Sequence, residues 1–207
     1  QNNRQKAEVQ VVKKEKDSDR VLEGAVFALC AKEDITGADG KVILKADTVI
    51  EELATDKEGK LSFTADLPIG FAYYIKETSP SSGFATTDEE FTFEYEGAEK
   101  EKVSYAFTFE DEPTVIEITK TSLTDGKELE GAKLQVTDES GKVVDSWTSG
   151  KEAHIIKELV VGQKYTLTET KPADGYVTAE SITFTVEDTA KSQKIEMKDD
   201  VTKVKIS

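Results

Sequence analysis

Cysteine and histidine are almost absent from this sequence, which has one of each, Cys30 and His154, in 207 residues. A single cysteine excludes a disulfide within the chain, and one cysteine with one histidine cannot complete a zinc site. We therefore expect no metal site and no cofactor. If the protein works outside the cell, where disulfides commonly stabilise small domains, it must be stabilised in another way.

Basic charge and long apolar runs are also scarce. The 27 basic residues are outnumbered by 42 acidic residues, which gives a formal net charge of -15. Such a chain repels phosphate groups, so we expect no nucleic-acid partner. The longest apolar run, residues 25–31, is far shorter than the roughly 20 residues of a membrane-spanning helix, so we expect no direct membrane insertion.

Short runs of alternating polar and apolar residues, separated by Asp-Gly, Ser-Gly and Glu-Gly pairs, dominate the sequence. Residues 165–169 and 182–186 alternate in this way, whereas helical periodicity is nearly absent. The pattern is typical of antiparallel strands with one buried face, and it predicts an all-β sandwich architecture. On this alternation we expect His154 to face solvent and Trp147 to pack.

The second half of the chain repeats the first. KKEKDSDRVLEGA at 13–25 matches KTSLTDGKELEGA at 120–132 without a gap, and YYIKETSPSSGF at 73–84 matches YTLTETKPADGY at 165–176. A third pair, 107–114 and 195–202, follows in the same order. We assign two tandem domains, 1–113 and 114–207, the first with an insertion at about 31–60. Pro113 marks the junction, because proline cannot donate to a strand ladder.

The last residues of the chain resemble the lead-in to the second repeat. VTKVKIS at 201–207 is similar to TVIEIT at 114–119. We therefore expect the sequence to be a fragment of a longer chain in which a further repeat follows, so that neighbouring repeats of the same polypeptide are its partners.

Strand parity places a lysine, a glutamate and an aspartate on the inward face of each repeat. Side chains alternate across a strand, so a charged residue two positions beyond apolar residues continues their face. Lys120, for example, shares a face with Ile116 and Ile118. The inward residues are Lys13, Glu77 and Asp111 in the first repeat and Lys120, Glu169 and Asp199 in the second.

Two explanations of these buried charges remain open from the residues alone. The first is a buried ion-pair network, or strand ends at which the charges reach water. The second is chemistry, because burial favours the neutral forms of an amine and a carboxylic acid. A neutral amine held against a carboxyl carbon can form an amide, and a neighbouring glutamate can carry the protons.

Both repeats resemble the Cna B-type domain of Gram-positive surface proteins and pilins, an immunoglobulin-like sandwich also described as prealbumin-like. The resemblance rests on ITK at 118–120 followed by GKELEGA at 126–132, on YTLTETKPADGY at 165–176, which is similar to the E-box of the family, and on MKD at 197–199. The corresponding blocks of the first repeat carry the same resemblance, with Phe84 in place of the usual E-box tyrosine.

The resemblance implies an isopeptide bond between the first and last strands of each domain. By position, Lys13 would bond to Asp111 with the help of Glu77, and Lys120 to Asp199 with the help of Glu169. Most family members have asparagine at the acceptor position, whereas both acceptors here are aspartate, so the implied by-product is water instead of ammonia. This is a single autocatalytic turnover within the chain, and we do not expect an enzyme.

Three functions are compatible with the sequence. The preferred one is a structural stalk or pilus-shaft module of an extracellular, cell-wall-anchored surface protein or pilus, rigidified by the isopeptide bonds. The alternative is an adhesin domain that binds a host or extracellular-matrix ligand, with either a sandwich face or the insertion around residues 34–49 as the binding surface. The third is an accessory domain of a secreted enzyme, because fold does not settle function.

Overall fold

The structure of the chain is a computed structural model that describes residues 5–97 and 102–202. Within these ranges every helix or strand assigned is a β-strand, which confirms the all-β prediction. Among residues 5–97 and 102–202 there is no candidate for a membrane-spanning helix. The strands, in chain order, are β1 Lys6–Glu15, β2 Val26–Ala31, β3 Ile35–Thr36, β4 Val42–Leu44, β5 Val49–Ala54, β6 Lys60–Phe63, β7 Phe71–Ser79, β8 Glu90–Tyr95, β9 Lys102–Asp111, β10 Val115–Ser122, β11 Lys133–Asp138, β12 Val143–Thr148, β13 His154–Lys157, β14 Lys164–Lys171, β15 Ile182–Thr185 and β16 Gln193–Asp199.

The chain divides into two compact units, Gln1–Glu112 and Pro113–Ser207. The division lies one residue before the boundary assigned from the sequence. We call these the first and second units and describe each by itself.

The first unit is a sandwich of a three-stranded and a four-stranded sheet. The three-stranded sheet has the order β6-β1-β9, and β1 pairs antiparallel with β6 and parallel with β9. The facing sheet has the order β5-β2-β7-β8 and is antiparallel throughout. Alternate residues of both sheets point inward and form one apolar core, which includes Val11, Phe27, Leu29, Tyr73 and Phe109.

The second unit repeats this arrangement. Its three-stranded sheet has the order β13-β10-β16, and β10 pairs parallel with β16. Its four-stranded sheet has the order β12-β11-β14-β15. The core between them includes Ile116, Ile118, Leu134, Leu167 and Met197. In both units the first and last strands are therefore direct parallel neighbours.

The insertion of the first unit contains a short two-stranded sheet of β3 and β4. Ile35 of β3 is fully buried and joins the core of the unit. Ile43 of β4, by contrast, is 66% exposed, and Val42 and Val49 are also exposed. The insertion is thus attached to the core on one side and presents aliphatic side chains to solvent on the other.

A stacked Trp147 and His154 pair joins the two edge strands β12 and β13 of the second unit. The ring centroids lie 4.1 Å apart with 10° between the planes, and His154 Nε2 lies 2.8 Å from Asp145 Oδ2. His154 shares the inward face with buried Ile156, whereas Ile155 is 47% exposed. The expectation that His154 faces solvent is therefore wrong, because the alternation of this strand was assigned to the opposite face. Trp147 packs as expected.

A tight turn follows β7 in the first unit, and its counterpart follows β14 in the second. The Phe84 N–H donates to the Ser81 carbonyl at 3.0 Å, and the Tyr176 N–H donates to the Ala173 carbonyl at 3.1 Å. Gly83 and Gly175 precede these donors with φ of 87° and 86°, a conformation that glycine adopts without steric cost. The hydroxyl of Ser81 is buried without a hydrogen-bond partner among the residues that the structure describes.

We predict that Ser81→Ala stabilises the first unit. Removing a buried, unsatisfied hydroxyl should raise the free energy of unfolding by about 1 kcal/mol, and the second unit already has alanine, Ala173, at this position. Ser82→Ala is the matched control, because Ser82 is exposed and its substitution should change little. Scanning calorimetry of the full chain measures the effect. The only tryptophan, Trp147, belongs to the second unit, so its fluorescence identifies the transition that should not move. A Ser81→Ala chain no more stable than the Ser82→Ala chain would contradict the prediction.

Candidate isopeptide sites

The candidate site of the first unit is assembled from three strands. Lys13 lies in β1, Asp111 ends the neighbouring strand β9, and Glu77 lies in β7 of the facing sheet. The parallel register pairs Lys13 with Phe109 and Glu15 with Asp111. Asp111 therefore lies two residues beyond the lysine's partner, on the same inward face. The glutamate approaches the amine from the opposite side of the core.

The same three strand positions form the site of the second unit. Lys120 lies in β10, Asp199 ends β16, and Glu169 lies in β14 of the facing sheet. The register pairs Lys120 with Met197 and Ser122 with Asp199. The structure thus brings the six residues predicted from the sequence into two buried groups of three.

In the first unit, the Lys13 amine lies between the two carboxyl groups. Its Nζ is 3.0 Å from Glu77 Oε1 and also contacts Asp111 Oδ1. All three residues are buried, with 0% of Lys13 exposed to solvent. The other oxygen of the glutamate, Oε2, accepts a hydrogen bond from the main-chain N–H of Thr87 at 2.9 Å. This bond orients the glutamate and leaves Oε1 directed at the amine.

The second unit has the same contacts. Lys120 Nζ is 3.0 Å from Glu169 Oε1 and contacts Asp199 Oδ1. The N–H of Ala179 donates to Glu169 Oε2 at 2.8 Å. Thr87 and Ala179 each follow their glutamate by ten residues. The sequence analysis missed both, because a main-chain donor in an irregular segment has no residue type or periodicity that marks it.

The walls of the two sites differ. In the first unit, the Lys13 Nζ lies 5.4 Å from the ring centroid of Phe27 and 5.8 Å from that of Phe109. The strand registers place Leu134 and Met197 at the corresponding positions of the second unit. Both walls exclude water, but only the aromatic rings of the first unit also attract an ammonium group.

Burial shifts the acidity of these carboxyl groups. In the first unit, burial raises the pKa of Glu77 from 4.5 to about 7; the Lys13 amine opposes this rise and the Asp111 carboxylate adds to it. In the second unit, burial raises the pKa of Asp199 above its usual value; the Lys120 amine opposes the rise and the Glu169 carboxyl adds to it. Two carboxyl groups forced together without water hold a proton more readily than either does alone.

The second site also contains a carboxyl oxygen that needs a proton. Asp199 Oδ2 is buried and has no hydrogen-bond partner among the described residues, while Oδ1 contacts the lysine. A charged oxygen without a donor is costly to bury, whereas a protonated carboxyl group can donate to the neighbouring Glu169. The geometry therefore favours a neutral, protonated Asp199 in this site.

An amine and two carboxyl groups in a dry space can remain an ion pair or can react. The ion pair must offset the desolvation of every charge, and burial makes this costly. Amide formation removes one positive and one negative charge together. Among residues 5–97 and 102–202, no group of three histidine, cysteine or acidic side chains is arranged to hold a metal ion.

Comparisons with known proteins give the same architecture. The family model of the SpaA prealbumin-like fold domain matches residues 7–111 and again 114–201. No curated protein matches the chain in sequence. Among solved structures, the chain is similar to the Bacillus anthracis TIE protein, with 27% identity and a TM-score of 0.55 over 95% of this chain and 34% of that one. It thus spans about a third of the length of that protein.

Two structures from Lactobacillus rhamnosus GG are also similar. The C-terminal fragment of the pilus adhesin SpaC is 16% identical, with a TM-score of 0.52 over 98% of this chain and 100% of that one. The shaft pilin SpaA is 17% identical, with a TM-score of 0.42 over 97% of this chain and 99% of that one. At 16% identity the likeness to the SpaC fragment concerns the fold alone. With both of its units matched by one family model, the chain belongs to the SpaA prealbumin-like fold domain family.

Proposed function

We propose that this chain is a stalk or shaft segment of a Gram-positive surface protein or pilus, in which each unit is closed by a self-catalysed amide bond between lysine and aspartate. The observation that carries the proposal is the repeated geometry: in both units a buried amine lies 3.0 Å from a glutamate oxygen and in contact with an aspartate. The family match over both units supports an extracellular, pilus-type setting.

The proposed reaction needs no external reactant. A proton first passes from the lysine ammonium to the aspartate carboxylate, which gives a neutral amine and a neutral carboxylic acid. The amine attacks Cγ of the aspartate and the C–N bond forms. The glutamate takes a proton from the nitrogen and delivers it to the departing hydroxyl group, the C–O bond breaks and one water leaves. The net charge is unchanged, because one positive and one negative charge disappear together.

The environment suits each step. A pKa of about 7 for Glu77 matches a group that takes and returns a proton near neutral pH. A protonated Asp199 supplies the hydroxyl that leaves as water. Fixing the amine beside the carboxyl carbon replaces an encounter in solution by a unimolecular step, which is worth orders of magnitude in rate.

The position of the bond explains how it would serve a stalk. Force on the two ends of the first unit enters β1 and leaves from β9, and these parallel neighbours would otherwise shear apart. A bond between Lys13 and Asp111 passes that force directly from one strand to the other. The chain between the two bonded residues, which are 98 positions apart, would then carry no force.

We predict that the intact mass of the purified chain is lower than the sequence mass by two waters. Glu77→Gln and Glu169→Gln should each restore one water, because each removes the proton carrier of one unit and keeps its lysine and aspartate. Lys13→Ala and Lys120→Ala should do the same by removing the nucleophile. A wild-type mass equal to that of the unmodified sequence would show that the buried groups remain ion pairs.

We also predict a large loss of stability when the bond of the second unit is prevented. Closing a loop across a 79-residue separation should stabilise the unit by roughly 4 to 5 kcal/mol, by analogy with a disulfide in the chain-entropy model. Denaturant unfolding followed by Trp147 fluorescence reports this unit alone. Glu169→Gln should lower the unfolding free energy by about that amount, and Glu77→Gln, which acts in the first unit, is the matched control. Equal Trp147 transitions in the two variants would contradict the stabilising role.

A specific observation also favours the adhesin function as a second candidate. Val42, Ile43 and Val49 expose aliphatic side chains on the insertion of the first unit, a property common to recognition surfaces. The insertion has no aromatic residue between 34 and 49. Binding of the full chain to immobilised fibronectin or collagen, abolished by Ile43→Ser with both amide bonds intact, would support this candidate.

A further inference from the structure

The main chain of the proposed reactive lysine is held differently in the two units. In the second unit the Lys120 carbonyl accepts from the Leu129 N–H at 2.7 Å, and the Lys120 N–H donates to the side-chain Oε2 of Glu128 at 3.2 Å. Two consecutive residues therefore bind both main-chain groups of the lysine. Lys120 is 2% exposed, so its amide hydrogen depends on an acceptor supplied by the protein.

The first unit uses a main-chain acceptor for the same amide. The Lys13 carbonyl accepts from the Leu22 N–H at 3.0 Å, as the equivalent carbonyl does in the second unit. The Lys13 N–H, however, donates to the Gly59 carbonyl at 2.7 Å. Val21 occupies the position of Glu128, since Lys14 bridges to Val21 as Thr121 bridges to Glu128. Valine has no side-chain acceptor, and with Gly59 present none is required.

The length of the turn before β6 or β13 explains why the lysine amide has a different acceptor in each unit. Thr55 and Ser149 are equivalent, because each donates its N–H to the carbonyl of an alanine, Ala25 or Ala132, which in turn donates its N–H to their hydroxyl groups. In the first unit the next inward residue is Leu61 of β6, six residues after Thr55. In the second unit it is His154 of β13, five residues after Ser149. With the shorter turn, β13 begins only at His154, and its pairing with β10 does not extend to Lys120.

Gly59 fits its role closely. Its φ is 68°, and a Cβ at this position would lie 2.7 Å from the Lys13 carbonyl oxygen and 2.8 Å from Val21 Cβ. Only glycine allows the turn to approach the lysine this closely. The second unit has no such glycine at the equivalent distance before His154, where Glu152 is found.

From this comparison we propose that Glu128 is a positioning residue of the second unit, whose carboxylate replaces the missing main-chain acceptor and holds the Lys120 peptide in strand register. The inference rests on the proposed amide chemistry. The lysine amine lies at the end of a flexible side chain, so its position relative to Asp199 depends on a fixed Cα. Small displacements of a nucleophile cost large factors in rate, because the reaction requires a narrow approach geometry.

The test is the rate of closure of the second unit in the full chain. Chains carrying Lys13→Arg, so that only the second unit reacts, are pulse-labelled in a cell-free translation system and quenched in denaturant at intervals. The covalently closed form is separated by its faster migration on a denaturing gel and identified by the mass of one lost water. Glu128→Val, which introduces the residue of the first unit, should slow closure about tenfold, the effect of losing one hydrogen bond of ordinary net strength.

Two further variants separate positioning from charge and from general destabilisation. Glu128→Gln keeps a side-chain carbonyl acceptor, so closure should stay within about twofold of the wild-type rate. In the first unit, tested with Lys120→Arg, Val21→Glu should leave the rate unchanged, because Gly59 already binds the Lys13 amide. Folding of the Glu128 variants is checked by Trp147 fluorescence, and folding of the first unit in the Val21→Glu chain by scanning calorimetry, before the rates are compared.

The outcomes are distinct. Slow closure in Glu128→Val with recovery in Glu128→Gln supports the inference. Equal rates in the wild-type, Glu128→Val and Glu128→Gln chains overturn it and leave the amide chemistry intact. Slow closure in both variants also overturns it, since charge and not the hydrogen-bond acceptor would then matter. If the chain that carries only Lys13→Arg does not close, the proposed function itself is rejected.

Discussion

The burial of a lysine amine between two carboxyl groups is the constraint on which the rest of each unit depends. The lysine and the aspartate come from neighbouring strands of one sheet, and the glutamate comes from the facing sheet. The site therefore exists only when both sheets are formed and correctly registered. In the proposed reaction the covalent bond would follow from folding and would then stabilise the fold that produced it.

The two units show which parts of the site are fixed and which are free to vary. The amine-to-glutamate distance, the main-chain donor to the glutamate and the parallel strand register are the same in both. The walls change from two aromatic rings to leucine and methionine, and the acceptor for the lysine amide changes from a main-chain carbonyl to a side-chain carboxylate. The geometry at the amine and the two carboxyl groups is the same in both units, whereas the residues around these groups differ.

The sequence predicted the all-β class, the tandem repeat and the three residues that meet in each site. It did so because strand parity has a period of two, and because the same lysine, glutamate and aspartate recur on an apolar face in both repeats. Parity fails where a strand is short. His154 begins a four-residue strand, and both of its neighbours, Ala153 and Ile155, are apolar. The two faces could therefore not be distinguished, and the residue was assigned to the wrong one.

Contacts made by the main chain were beyond prediction for a different reason. The N–H groups of Thr87 and Ala179 orient the two glutamates, but any residue other than proline carries such a donor. The role of Glu128 depends on a one-residue difference in a turn elsewhere in the chain. Such features follow from the three-dimensional path of the backbone, which residue patterns alone do not specify.

Peptide mapping by tandem mass spectrometry is the most direct test of the two proposed amide bonds, because it identifies the bonded residues themselves. After proteolysis of the wild-type chain, we expect two branched peptides, one joining Lys13 to Asp111 and the other joining Lys120 to Asp199. Recovery of these four residues only in linear peptides, or of either lysine joined to Glu77 or Glu169, would contradict it.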